Sequence, residues 1–412
     1  MGRKRRKRVM KWLHKWPSLV MAIFIILWAI SGVILNHRFT FSSFDVDRDF
    51  LPNEHQYRNW NNASLRGSVR IDSNKLWFYG NMGVWQYDED DSSWSDIRNG
   101  FPAGADRYKV NCLIKTSNDK LFCGTRFALY YYNAVTSSWD EVMIPHHDKH
   151  VVDLAEVADT LWAMTRSHLW KFPLHGNMVP EYAAIPAPDG YDNKVGLFKT
   201  LWVIHSGEIY GIVGKLIVDF VAIVFVFLTV SGLIYFYFPR LMKRRKRKEK
   251  PVGELARWNK FSIKWHNKAG IWLVAMLIVT ITTGMFLRPP LLIAIASGRV
   301  GKIPYSMLDD GNPWYDQFRK MLYDQGNNRM LLATSEGIFA FDPALKKSPK
   351  YLFPQPPASV MGYNVFTKHQ DGRVLVGSFS GLYSWDLENG AIYDHHSGSP
   401  YMIRQGPAIP IS

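Results

Sequence analysis

The sequence predicts a membrane α plus β protein: a bundle of three transmembrane helices carrying an exported β-propeller-like domain assembled from two loops. Three observations predict it. Two dense basic runs each abut a long apolar segment, and three segments are long and apolar enough to cross a bilayer. Five stretches outside those segments share one strand–turn–strand pattern.

The charge comes first, because a formal net charge of +15 also fits a nucleic-acid binder. Residues 1–16 hold eight Lys/Arg, and residues 239–264 hold eleven Lys/Arg against two Glu. These runs carry +17 together and leave −2 on everything else. Basicity confined to the flanks of apolar segments is the positive-inside signature, with anionic membrane lipids as neighbours. No nucleic-acid partner is expected.

The spans read as Pro17–Asn36, Tyr210–Phe238 and Ala269–Leu287. The first is too long in its apolar core, and lacks the following small-residue site, for a cleaved signal peptide. Orientation by the basic runs gives a cytoplasmic basic N-terminus (1–16), a first span (17–37) and a first exported part (38–204). A second span (205–238), a cytoplasmic basic loop (239–265), a third span (266–288) and a second exported part (289–412) follow. "RPPLLIAIASG" (288–298) is too short for a fourth span and is expected along the outer interface.

The repeat occupies 75–94, 120–139, 160–176, 329–351 and 373–393. Each copy has an apolar strand, a small or polar turn, an aromatic strand and a second turn former. Starts about 40–45 residues apart have the spacing of propeller blades, and the copies resemble those of periplasmic sensor propellers. Three copies precede the second span and two follow the third. Neither group closes alone, so one body built from both loops is expected. Cys112 and Cys123 flank a hairpin whose expected register sets them face to face; an exported location permits a disulfide there.

Four of the thirteen histidines sit at membrane boundaries: His14 and His266 at the inner side, His37 and His205 at the outer. Two neutral imidazoles facing each other across helices are what bis-histidine haem ligation requires. Gly207, Gly211 and Gly214 follow His205, and Ala269 and Gly270 follow His266, small enough to let a macrocycle approach. Each span also ends near a hydroxyl–glycine pair: Ser31-Gly32, Ser231-Gly232 and Thr283-Gly284. Arg38 and Arg288 outside, with Lys15, Lys264 and Lys268 inside, are cations available to haem propionates. Glu208 is expected to cap a helix start. No G-x-S-x-G, H-E-x-x-H or P-loop competes, and the His146–His147 and His395–His396 pairs lack spaced ligand partners for a metal site.

Several motifs together resemble the PepSY-associated transmembrane proteins, which include inner-membrane ferric-siderophore reductases. They are "WLHKW" (12–16), "ISGVILN" (30–36), "HSGEIYGIVGK" (205–215), "TVSGLIYF" (229–236), "WHNKAGIW" (265–272) and "TTGMFL" (282–287). The resemblance covers the membrane third of the chain. It implies one or two b haems held by boundary histidines in a bacterial inner membrane, with electrons crossing to an exported ferric acceptor. His205 and His266 carry over directly as ligands, and His14 matches the family's first-span histidine. The sequence departs from the family in having three spans rather than four, and propeller repeats where a PepSY module is expected.

The basic cytoplasmic segments are too short for a flavin or nicotinamide domain, and no G-x-G-x-x-G follows a strand in them. Electrons are therefore expected from quinol or a separate donor, and a ferric chelate such as a ferric siderophore is the expected acceptor. The competing reading is a non-catalytic, membrane-anchored propeller acting as a sensor or assembly protein. From His14 to His37 a continuous helix spans about 34 Å. Pro17 is expected to break it and free the azimuth of His14.

Overall fold

The computed structural model describes residues 3–53, 64–357 and 362–401. They divide into a sheet-rich unit, Phe39–Asn193 with Asp310–Ser412, and a helical unit, Met1–Arg38 with Lys194–Asp309.

The sheet unit holds five four-stranded antiparallel meanders. The first is β1 (Gly67–Arg70), β2 (Lys75–Gly80), β3 (Gly83–Asp88) and β4 (Trp94–Asp96). The second is β5 (Val110–Lys115), β6 (Leu121–Thr125), β7 (Leu129–Asn133) and β8 (Ser138–Val142). The third is β9 (Asp153–Val157), β10 (Thr160–Met164), β11 (Leu169–Pro173) and β12 (Glu181–Tyr182). The chain then enters the helical unit, where β13 (Lys194–Gly196) pairs with β14 (Arg299–Gly301). It returns as β15 (Phe318–Asp324), β16 (Arg329–Thr334), β17 (Gly337–Phe341) and β18 (Lys350–Tyr351). The fifth meander is β19 (Tyr363–Lys368), β20 (Val374–Ser378), β21 (Gly381–Trp385) and β22 (Ile392–Asp394).

Apolar cores lie between successive sheets. Trp77 and Val84 meet Leu121, Cys123 and Trp139; Phe122 and Leu129 meet Leu161 and Phe172. Trp162 and Met164 meet Trp314, Phe318 and Met330; Leu331 and Ile338 meet Val376 and Trp385. Neighbouring residues of one strand, such as Leu161 and Trp162, enter different cores. The middle strands are thus buried on both faces, which is why they read as unbroken apolar runs. The third of these cores draws on both stretches of the unit, so neither is self-contained.

Trp314 shows how firmly they are joined. It is 2% exposed, and its indole N–H donates to the carbonyls of Ile185 (3.2 Å) and Pro186 (3.0 Å). Trp314→Ala is expected to cost about 3–5 kcal/mol. The thermal midpoint of the sheet circular dichroism signal should drop in a single transition. A separate early melt of one stretch would contradict the shared core.

The cysteines do not pair. β5 is bulged between Val110 and Cys112, which sets Cys112 opposite Gly124 and Cys123 opposite Leu113. The extra residue shifts the register by one, so the side chains leave on opposite faces. Both thiols are free and buried, in different cores.

In the helical unit, α1 (Arg3–Asn36) runs unbroken through Pro17, against expectation. A proline removes one rung of a helix, and a long apolar helix tolerates that loss when neighbouring groups compensate. After α2 (Arg38–Phe41) come α3 (Leu197–Ser206), α4 (Gly211–Lys246), α5 (Gly253–Trp272), α6 (Val274–Met285) and the short α7 (Leu291–Ile295). Two helical stretches, Lys4–Asn36 and Glu208–Lys246, are long and apolar enough to cross a membrane. The expected third span is α5 plus α6, bent by 68° at Leu273. α1 and α4 are antiparallel: Trp16 packs on Phe236 (5.8 Å) at one end, and Asn36 donates to Asp219 (3.5 Å) at the other. Both basic runs therefore lie at one end of the pair, and Lys243–Lys246 close α4 where cations favour the helix dipole.

Candidate functional site

The expected second span does not begin at His205. His205 sits on α3, and the chain turns at Gly207 (φ 77°) before α4 begins at Gly211 (φ 60°). A Cβ on Gly207 would overlap the Gly214 carbonyl, and one on Gly214 would overlap that of Gly207. These glycines make a backbone-to-backbone crossing, a use different from clearing a macrocycle. A Cβ at Gly211 would meet open space. Glu208 makes no capping hydrogen bond; its carboxylate lies 3.8 Å from Lys215.

The hydroxyl–glycine pairs seat the two histidines. His205 Nδ1 lies 3.0 Å from the Thr280 carbonyl and 3.2 Å from Thr283 Oγ1. A carbonyl only accepts, so Nδ1 carries the proton and donates. A Cβ at Gly284 would stand 2.8 Å from the imidazole Cε1, so only glycine leaves room for the ring. His266 repeats the arrangement on α4. Ser231 Oγ donates to the Leu228 carbonyl (3.1 Å) and lies 3.0 Å from His266 Nδ1. The hydroxyl thus partners the ring at Nδ1. A Cβ at Gly232 would meet His266 Cε1 at 3.5 Å. The neutral His205 imidazole thus keeps a lone pair on Nε2. Ser31 Oγ donates to the Trp28 carbonyl, and open space faces Gly32.

His14 and His266 are brought together, with ring centroids 6.1 Å apart and planes at 65°. His37 and His205 are not brought together. His37 Nε2 lies 2.5 Å from Asp219 Oδ2, and Asn36 also donates to the Ser206 carbonyl (3.0 Å). Asp219 escaped the sequence reading, although the signal was present: it is the only acidic residue of α4, and a carboxylate in an apolar span wants a partner. Among the predicted cations, Lys15 lies over the rings of Trp16 and Phe236 (5.5 and 5.0 Å). Lys268 lies over Trp265 and Trp272 (5.3 and 5.9 Å). Arg288 is exposed just past α6, and Arg38 is half-buried.

The sequence profile of the PepSY-associated TM region matches residues 11–398. The chain belongs to that family. Within this PepSY-associated TM protein the two histidine seats fall inside the matched range. Comparison with curated proteins gives no match. Among solved structures, it resembles the extracellular domain of a one component system of B. thetaiotaomicron. That match is 13% identical over 81% of this chain and 33% of the other, with TM-score 0.36. It also resembles the extracellular domain of a hybrid two component system of that organism, at 12% over 84% and 36%, with TM-score 0.37. The chain spans about a third of the length of these solved chains.

The sheet unit has histidines of its own. His146 stacks on His147 and on His168, each at 4.0 Å between centroids. Among the described residues no three His, Cys, Asp or Glu are placed to hold a metal ion. Burial, then His168 and His147, lower His146 from 6.5 to about 4. Burial, then Arg126 and Arg166, lower His150 to about 3. Both are neutral when folded, whereas the unfolded chain takes up protons below about 6.5. Stability is therefore expected to fall as pH drops from about 6.5 towards 3. The thermal midpoint of the sheet signal, followed from pH 7.5 to 4.5, should decline, and His150→Asn should flatten that decline.

Proposed function

We propose that this PepSY-associated TM protein is a haem-binding oxidoreductase of the bacterial inner membrane that passes electrons to an exported ferric chelate. The observation that carries the reading is the seating of His205 and His266 through Nδ1. A metal-ligating histidine characteristically has its other ring nitrogen hydrogen-bonded to a carbonyl or hydroxyl, which orients the ring. Both Nδ1 atoms face such a partner here, and the His14 and His266 rings lie 6.1 Å apart. His14 and His266 would hold one haem, and His205 would be a ligand of a second. His37 could join His205 only by giving up Asp219.

Bound haem supplies a reversible one-electron couple. The chain's own part is to orient the His205 and His266 rings through Thr280, Thr283 and Ser231. We take quinol as the donor: it yields two electrons and two protons, enough to convert two ferric ions to ferrous. The ferrous ion binds hard oxygen ligands less tightly and leaves the chelate.

Three spans and a propeller-like body belong to the same reading. Residues on both sides of the α4–α6 segment share one core, so they lie on one side of the membrane. If α4 crosses once, the bent α5–α6 pair must cross back. The cores between successive sheets support blade-like packing, and the basic runs support a cytoplasmic N-terminus.

The protein purified in detergent from haem-replete cells should show the reduced-minus-oxidised bands of low-spin b haem. A colourless preparation would sink the reading.

A further inference from the structure

In three sheets the hairpin joining the second and third strands is shaped by one residue. Thr125, Thr165 and Thr334 each accept from backbone N–H groups across the hairpin and donate back to its far carbonyl. The residue after the threonine is Arg126 in the second sheet and Arg166 in the third. Each hairpin is hydrogen-bonded to the segment that leads into the next sheet: Val151 N–H to the Thr125 carbonyl (3.0 Å), and Phe318 N–H to the Arg166 carbonyl (3.0 Å). The repeat therefore places equivalent arginines, Arg126 and Arg166, on neighbouring hairpins, and the second leading segment adds Arg319.

Arg166 and Arg319 are held in place. Arg166 Nε bonds Asp316 Oδ1 at 2.6 Å. Arg319 donates to the carbonyls of Asp316 (2.7 Å) and Phe318 (2.8 Å), and its stem lies where a Cβ on Gly362 would be, 2.7 Å from Cδ. Between the two hairpins stands His150. Arg126 and Arg166 lower its proton affinity by more than Asp148 and Asp316 raise it. Burial, then Arg166, lowers Arg319 to about 10. Arg166 and Arg319 converge on Asp316, and forked guanidinium groups suit carboxylate geometry.

We propose that Arg126, Arg166 and Arg319 form an anion site on the sheet unit that takes a small polycarboxylate, free or as the ligand of a ferric ion. Its role as the docking place of the acceptor rests on the redox reading above. Binding itself is independent of that reading.

The test is calorimetric titration of the full chain in detergent with citrate and with gallium citrate, which is redox-inert. Wild type should bind both, more weakly as salt rises. Arg126→Gln with Arg166→Gln should weaken binding at least tenfold, and Arg126→Lys with Arg166→Lys should restore part of it. Arg126→Gln alone, at an exposed position, should weaken binding severalfold without disturbing the Arg166–Asp316 pair. Equal binding by wild type and the glutamine variants overturns the site. So does capture of anionic-lipid vesicles through these arginines with no citrate binding, which assigns them to headgroups. The haem spectrum is recorded on the same samples. Lost citrate binding with an intact spectrum supports the site, whereas equal binding with an intact spectrum overturns the site and leaves the redox reading standing. A colourless sample overturns the redox reading, while its citrate curve still decides the site.

Discussion

His266→Ala is expected to remove the low-spin haem signal of the His14–His266 pair, halving the spectrum of a two-haem protein and abolishing that of a one-haem protein. The substitution deletes the imidazole but leaves Ser231 and Gly232, so an imidazole-sized space remains in the seat. Free imidazole should therefore restore part of the signal. His14→Ala should lose the same component, and His37→Ala should retain it, since His37 is engaged with Asp219. Ser231→Ala removes only the hydroxyl that orients the ring, and a loss of about 10–100-fold in cofactor affinity is expected. Identical spectra for wild type, His266→Ala and His205→Ala would falsify the assignment.

The second large effect is at Gly207. Alanine there meets two penalties together. A φ of 77° costs an L-residue about 1–2 kcal/mol, and its Cβ would enter the space of the Gly214 backbone. Overpacking adds about 1–3 kcal/mol, and backbone cannot step aside as a side chain can. Gly207→Ala should lower the detergent-solubilised thermal midpoint sharply and disturb His205 through the α3–α4 turn. At Gly211→Ala no backbone overlap arises, because a Cβ there meets open space, and the cost is that of φ 60°, ψ −138°, a region essentially reserved for glycine, about 1–3 kcal/mol. A Gly207→Ala midpoint equal to that of wild type would show that the Gly207–Gly214 crossing is dispensable.

Much of this architecture was legible because its signals are local. Apolar runs with basic flanks marked α1 and α4, and the spacing of strand–turn–strand copies marked all five sheets. Positions that depend on where the backbone turns were not legible. "HSGEIYG" reads as the mouth of a span, yet its two glycines take positive φ and divide α3 from α4. The bend at Leu273 carries no proline, and the only glycine near it is Gly270, one turn earlier. One bulged residue at Val110–Cys112 turned an expected cysteine pair into two unrelated core thiols. At the histidines, the residue types could be read but their partners could not. Sequence pairs His37 with His205 by leaflet, whereas Asp219 takes His37, and the Thr283-Gly284 and Ser231-Gly232 pairs each take a histidine from another helix.

The core that joins Trp162 to Trp314 has a consequence for how the protein is made. The ribosome reaches Trp314 only after the helical segment has been synthesised. At about 5–20 residues per second that interval is roughly 8–30 s. Until then the third sheet presents an unfilled apolar face. Completion of the sheet unit thus waits on synthesis of the whole helical segment. The nascent chain keeps that apolar face open until residues from 310 onward arrive to cover it.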